Sequence, residues 1–515
     1  MRIAAFAIVC LFAPLAAPAQ TFRSADSVLR RMWTEGMEGS QTERLAQVLL
    51  DSIGPRLSGT ANYQAAADWV LARYRSWGVE ARKEQYGTWR GWRRGPVHAD
   101  LIAPHAHTLE ARFLAWSPGN GGRAVEADVI TIPEFSSPQQ ATAWLPSVRG
   151  KIVLVSSPEP ICREPQAFQA LARPETYQRW QTDRTAMQQS WRRRHAALGD
   201  SAIARIEAAG AVAVFTLTWS QGWGVNKVFD TETARVPSLD ISCEDYGLLY
   251  RLAVNRQGPR VRISADADLP GPVPMHNVIG EIRGAELPNE YVMLSAHLDS
   301  EHSAQGATDN GTGTLTMLEA MRILRTAYPR PRRTILVGHW GGEEQGLIGS
   351  RASSEDHPDV VQNLQVLFNQ DNGTWRIEYI QAQGFLNAGA NLARWIAAIP
   401  TEITQHIKLD VPGPQEVGGS DHVSFLCNGA PGFRLQSNYP DYRQYTWHTN
   451  RDTYDKIVFD DLKNNATLAA MLMYLASEDP QRVPRDRSVL PPDPRTGQPR
   501  QWLGCARARR AYPGR

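Results

Sequence analysis

The sequence predicts an α/β fold with a mixed, largely parallel central sheet flanked by helices, and three observations predict it. Residues 291–296 (YVMLSA) form a short, largely apolar run that leads straight into His297-Leu298-Asp299. Residues 334–337 (TILV) form another, leading to Gly341-Gly342-Glu343-Glu344, and between the two Leu315, Leu318, Met321 and Leu324 recur as on an amphipathic helix. Strand, helix and strand make a crossover unit, which forces its two strands parallel. A third apolar stretch, 366–368, ends in Asn369-Gln370-Asp371. The polar clusters thus leave the carboxyl ends of strands, where open α/β sheets place their active sites.

These residue types point to metal-assisted hydrolysis. His297 and Asp309 offer an imidazole and a carboxylate to a cation, and Glu343 and Glu344 offer two more carboxylates. Neighbours leaving a strand point in opposite directions, so the two glutamates have separate jobs, one as ligand and one as base. Residue chemistry alone does not say which is which. Mixed nitrogen and oxygen ligands favour zinc, although manganese or cobalt suits the same set. Downstream, residues 445–453 (YTWHTNRDT) form a polar loop with His448 near its centre.

With these residues in hand the chain resembles the co-catalytic di-zinc aminopeptidase family, most of all its plasma glutamate carboxypeptidase (carboxypeptidase Q-like) branch. The matching motifs are AHLDS at 296–300, GATDNGTG at 306–313, EEQG at 343–346, Asp371, GSDHVSF at 419–425 and HTNRDT at 448–453. The resemblance runs from about residue 52 to about 477 and implies two Zn2+ ions bridged by Asp309. His297 and Asp371 would complete one shell, Glu344 and His448 the other. Glu343 would be the general base, and Asp299 would accept a hydrogen bond from the His297 ring. The chain departs from the family at Asn310, where relatives carry a second acid, and at Gly341-Gly342, where they often have Thr-Ala. Neither position is a ligand.

Taken in order, residues 1–19 read as a cleavable signal peptide: Arg2, an apolar run to Leu15, then Ala17-Pro18-Ala19. That run is too short for a permanent anchor, which needs ~20 apolar residues, so export to the periplasm or outside is expected. The 515 residues suit two or more domains, and a net charge of +2 gives no reason to expect nucleic acid or anionic membrane as partner. Five cysteines exclude a disulfide-rich scaffold, and Cys162, Cys243, Cys427 and Cys505 form no zinc motif. A Cys162–Cys243 bridge is left open, because both fall in one candidate domain.

Residues 24–86 read as helical, broken by the turn SIGPRLSGT at 52–60, with a helix from 61 to 77 stopped by Gly78. Residues 119–269 change character: strands are expected at 125–132, 151–155 and 211–217, and helices at 203–209 and 244–252. This stretch resembles the β-rich protease-associated insert of di-zinc exopeptidases. Within it, 158–200 is a polar, helical excursion with Trp180 and Trp191, read first as a solvated surface helix. The peptidase unit is then discontinuous, 20–118 and 270–480, with a final amphipathic helix at 460–476 and a Pro/Arg-rich, extended tail over 481–515 in which Trp502 is a docking candidate.

The expected function is a secreted or periplasmic zinc exopeptidase acting near a free terminus of peptides or dipeptides. His276, His302, His339 and His422 read as core or supporting residues rather than ligands. Tyr439, Tyr442 and Tyr445 are the candidates for donating to the tetrahedral oxyanion. A glutaminyl cyclotransferase on the same fold uses one zinc, and His297 and Asp371 count against it. A non-catalytic binding protein would have lost ligands. Aminopeptidase or dipeptidase specificity and a homodimer both stay open.

Overall fold

The computed structural model describes residues 24–371, 373–415 and 418–512, so the expected signal peptide lies outside the described residues. Two long runs of chain organise the rest. Glu80–Arg90 continues through Gly91-Trp92 into Arg93–Ala103, and Arg260–Asp268 continues through residues 269–271 into Pro272–Ile282. The halves pair antiparallel in two different sheets, Glu80–Arg90 with Pro272–Ile282 and Arg93–Ala103 with Arg260–Asp268. At the crossing Gly91 N donates to Gly271 O at 2.7 Å. A Cβ on Gly91 would stand 2.6 Å from that oxygen, so the close approach requires glycine.

The first sheet has eight strands, in the order 80–90, 272–282, 333–340, 287–297, 364–370, 432–437, 377–381 and 408–410. Its centre is parallel: Leu287–His297 lies between Arg333–Trp340 and Leu364–Gln370. The strands 272–282 and 377–381 run antiparallel to their central neighbours, which makes the sheet mixed. The helix Thr312–Ala327 packs on the sheet beside the final helix Phe459–Glu478, with Leu315, Leu318, Met321 and Leu324 fully buried.

Residues 80–90 correct the helical reading, which ran on to 86. The helix Ala61–Ser76 ends and Gly78 takes φ +74°, left-handed backbone that glycine adopts freely. The chain then enters an edge strand whose exposed charges hide the two-residue period, so its pairing with 272–282 decides the structure rather than its own pattern.

The second sheet also has eight strands and draws them from residues 93–268, starting before residue 119 because Arg93–Ala103 pairs with the returning strand Arg260–Asp268. The helix Pro174–Leu198 lies in the polar excursion, and both of its tryptophans are buried. Trp191 packs with Val153, Val155 and Val214 of this sheet's own core, so the helix is not simply a solvated one.

Cys162 and Cys243 are bonded, and so are Cys427 and Cys505. The second bond holds the C-terminal tail, which has no helix or sheet strand among the described residues after 478. Trp502 Nε1 donates to Ser488 O at 3.0 Å, Arg510 pairs with Glu355 and Asp356, and Thr88 N donates to Arg510 O along the outer edge of the first sheet. No helix among the described residues is long and apolar enough to cross a membrane.

Candidate metal centre

Three of the expected ligands stand at the borders of regular elements. His297 closes the strand Leu287–His297, Asp371 comes directly after the strand Leu364–Gln370, and Asp309 lies in the turn Ala307–Gly311 that opens the helix Thr312–Ala327. The chain thus brings His297, Asp309 and Asp371 together, with donor atoms within 4.8 Å of one another. His297 Nε2 is 3.3 Å from Asp371 Oδ1 and 3.5 Å from Asp309 Oδ1. Glu344 and His448 form the second group, Oε2 to Nε2 at 2.8 Å, and Glu301 joins them within the same 4.8 Å limit. Asp309 faces both, since its other oxygen is 3.4 Å from His448 Nε2.

The two adjacent glutamates are thereby told apart. Glu344 points into the His448 group, whereas Glu343 belongs to neither cluster. Burial pushes the Glu343 carboxyl well above the usual carboxylate range, an effect that His297 opposes and that Asp371, Asp421 and Glu344 reinforce. The turn that holds both glutamates is shaped by glycine: a Cβ on Gly341 would meet Tyr63 Oη at 2.0 Å, and Gly342 has φ +71°. Tyr63 and Tyr86 fill the space beside these two glycines.

Asp299 corrects an expectation. The nearest acceptor for His297 Nδ1 is the main-chain carbonyl of Asp299 at 3.0 Å, and the carboxylate is 3.7 Å away. That carboxylate instead accepts from the amides of Glu343 at 3.2 Å and Glu344 at 3.3 Å, and from Ser58 Oγ. Bridging two amides of the neighbouring strand's exit turn draws it off the ring.

Three supporting groups escaped the sequence reading. Asp452 accepts from the amides of Thr308 at 2.7 Å and Asp309 at 3.1 Å, and fixes the bridging turn. Its carboxyl is pushed up to about 7 by burial. Arg56, fully buried, donates to the carbonyls of Gly54, Leu298, Gln305 and Gly306 and ties down the loop between His297 and Asp309. The loop between the second sheet's strands Ala213–Thr216 and Ser238–Ile241 supplies the third support. Val228 N donates to His448 O at 3.0 Å, and the Phe229 ring lies 5.0 Å from the imidazole, with Trp447 at 4.2 Å on the ring as well. His448 itself has φ +60°, a strained conformation for a non-glycine residue, held by these contacts. The sequence signal was present for Asp452, inside HTNRDT, but absent for Phe229, which lies more than two hundred residues from its partner.

The remaining histidines stay outside both clusters. His339 Nε2 meets Tyr74 Oη at 2.6 Å, and His302 Nε2 meets Phe113 O at 2.9 Å. Among the tyrosines, Tyr439 Oη is 3.1 Å from Thr446 Oγ1, and Tyr445 is 39% exposed on the rim of a cavity of about 510 Å³. Tyr442 is buried, and after burial itself Asp309, Asp371 and Glu344 are the charges that raise its hydroxyl. Of these three tyrosines it is the one on which the donor carboxylates act.

The donor set fits a pair of divalent cations. Buried polar atoms are almost always hydrogen-bonded, yet Asp309 Oδ2, Glu344 Oε1, Glu301 Oε2 and His448 Nδ1 have no hydrogen-bond partner among the described residues. Burial disfavours charge on His297 and His448, but the surrounding carboxylates outweigh it and raise both imidazoles well above their usual value. The pocket draws positive charge to itself.

A family model described as peptidase family M28 matches residues 277–473, the stretch that carries every one of these donors. The chain carries an M28 peptidase domain. Human carboxypeptidase Q is 26% identical to the chain over 450 residues, covering 86% of each, and bovine carboxypeptidase Q is 26% identical over 447 residues. Along most of its length the chain is thus similar to carboxypeptidase Q. Among solved structures, an M28 peptidase precursor from Shewanella amazonensis superposes with a TM-score of 0.64 at 22% identity, covering 89% of this chain and 97% of that one. A zinc aminopeptidase from Bacillus subtilis has a TM-score of 0.54 at 19% identity, covering 90% and 98%. Both superpositions show that the chain shares the fold of those peptidases over about nine-tenths of its length.

The two clusters separate by mutation. If each cluster holds one ion, His297→Ala should release the one shared with Asp371, and His448→Ala the one shared with Glu344. Metal analysis after dialysis should find about one equivalent in each variant, from different sites. Loss of both ions in both variants would contradict separate shells.

Proposed function

We propose that this chain is an exported, zinc-dependent exopeptidase that hydrolyses the peptide bond next to a free terminus of a peptide or dipeptide. The observation that carries the proposal is the pair of donor clusters, one buried and one partly buried, with Asp309 facing both. His297 and Asp371 would hold one ion, Glu344 and His448 the other. Bound there, zinc supplies Lewis acidity to the scissile carbonyl and to the attacking water.

The chain's own residues do the rest. Glu343, outside both ligand sets, takes the proton of the attacking water and passes it to the leaving amine. Asp299 holds the amides of both glutamates, so base and ligand keep a fixed relation. Tyr442 donates its hydroxyl to the oxyanion of the tetrahedral intermediate. Tyr442→Phe should therefore lower kcat by ~10²-fold with little change in KM; an unchanged kcat would remove Tyr442 from the mechanism. The two disulfides, and the human and bovine relatives named carboxypeptidase Q, support an oxidising compartment and an exopeptidase.

A panel of free dipeptides, aminoacyl-arylamides and terminally blocked peptides, each with and without chelator, tests the reading. Chelator-sensitive cleavage restricted to substrates with a free terminus is expected. Cleavage of internal bonds in doubly blocked peptides would contradict it. Arylamide turnover would mark an aminopeptidase, and turnover of free dipeptides alone a dipeptidase.

A further inference from the structure

Glu301 has no role in the family pattern, yet it sits in the second cluster. It is 7% exposed, its Oε2 has no hydrogen-bond partner, and its carboxylate joins those of Glu344 and His448 Nε2 within 4.8 Å. No lysine or arginine forms an ion pair with it among the described residues. Its nearest basic neighbour is His302, whose Nδ1 is 3.6 Å away. That contact is too long for a hydrogen bond: His302 Nε2 donates to Phe113 O at 2.9 Å, and neither His302 Nδ1 nor Glu301 Oε2 has a hydrogen-bond partner among the described residues. A buried carboxylate without a donor or a cation calls for a partner, and the direction in which it faces is the Glu344–His448 pair.

We infer that Glu301 is a third side-chain ligand of the ion held by Glu344 and His448. The inference rests on the two-ion proposal and adds an asymmetry to it. Counting Asp309, the second ion has four protein ligands and the first, with His297, Asp371 and Asp309, has three. A zinc with four protein ligands is closed, whereas one with three keeps a position open for water or substrate. The Glu301 site is thus the tightly held ion and the His297 site the open one. Charge agrees: the carboxylates of Asp309, Asp371, Glu344 and Glu301 balance the charge of two divalent ions.

The test uses the full chain and zinc alone. In His297→Ala protein only the second site remains, and its zinc affinity is read by competition with a chromophoric chelator. Adding Glu301→Gln to that variant should weaken it by more than ~10²-fold, beyond the 10–100-fold that losing an outer hydrogen-bonding partner costs. A smaller loss overturns the inference. A zinc-edge anomalous map of the wild-type protein gives an answer that does not depend on the variants folding. A Glu301 oxygen at ~2.0–2.2 Å from the second ion is expected. Two ions with Glu301 outside bonding distance overturn the inference and leave the peptidase reading standing, whereas no ion at either cluster overturns that reading first. Unchanged zinc affinity in Glu301→Gln together with a raised KM for substrates bearing a free amine would instead make Glu301 the amine's anchor.

Discussion

Glu343→Gln is expected to retain both zinc ions and to lose at least ~10²-fold in turnover, the lower end of what a general base supplies. The amide keeps the size and hydrogen-bonding reach of the carboxyl but takes no proton near neutral pH. Its zinc content should stay near normal because Glu343 belongs to neither donor cluster. Glu344→Gln should behave in the opposite way. Glu344 Oε2 lies 2.8 Å from His448 Nε2, inside the second cluster, and a neutral amide is a much poorer ligand than a carboxylate. That variant should lose or loosen one ion. Metal analysis and single-turnover hydrolysis on both variants decide the matter. If Glu343→Gln lost zinc while Glu344→Gln kept both ions, the two roles would be swapped.

Asp309→Asn should have the largest effect of any single ligand substitution. Its two oxygens face the two histidines, 3.5 Å from His297 and 3.4 Å from His448, so removing the charge weakens both sites at once. Loss of both ions takes away several kcal/mol of transition-state stabilisation, which at 1.36 kcal/mol per tenfold is ~10³-fold or more in rate. The fold should survive, because Asp452 still holds the amide of residue 309 and Arg56 still holds the loop before it. The check is zinc content after dialysis beside a thermal unfolding curve. One full equivalent retained in Asp309→Asn would show that the residue is not shared.

How much of the site is legible in the sequence depends on how strands deliver residues. His297, Asp371, Glu343 and Glu344 follow apolar runs within about six residues, and the parallel crossover fixes those runs as neighbours, so their meeting needed no knowledge of distant packing. His448 as a ligand, and Asp309 as the shared one, were legible through motif resemblance alone. Glu301 was not, because in DSEHS it is one polar residue among several, and Arg56 and Ser58, from a turn about 240 residues earlier, shape the loop around it. The Glu80–Arg90 strand was hidden for a different reason: an edge strand with charges on its open face shows no clean two-residue period. The Cys427–Cys505 bond joins the tail to the GSDHVSF region, and nothing in cysteine spacing distinguishes that pairing.

The central claim is that one buried centre holds two ions through a shared Asp309. Zinc analysis of the purified wild-type protein, followed by stepwise chelation with activity measured at each step, tests it most directly. Two equivalents per chain are predicted, with activity abolished when both have been withdrawn and regained on adding zinc back. One equivalent at full activity, or activity that survives complete chelation, would contradict it.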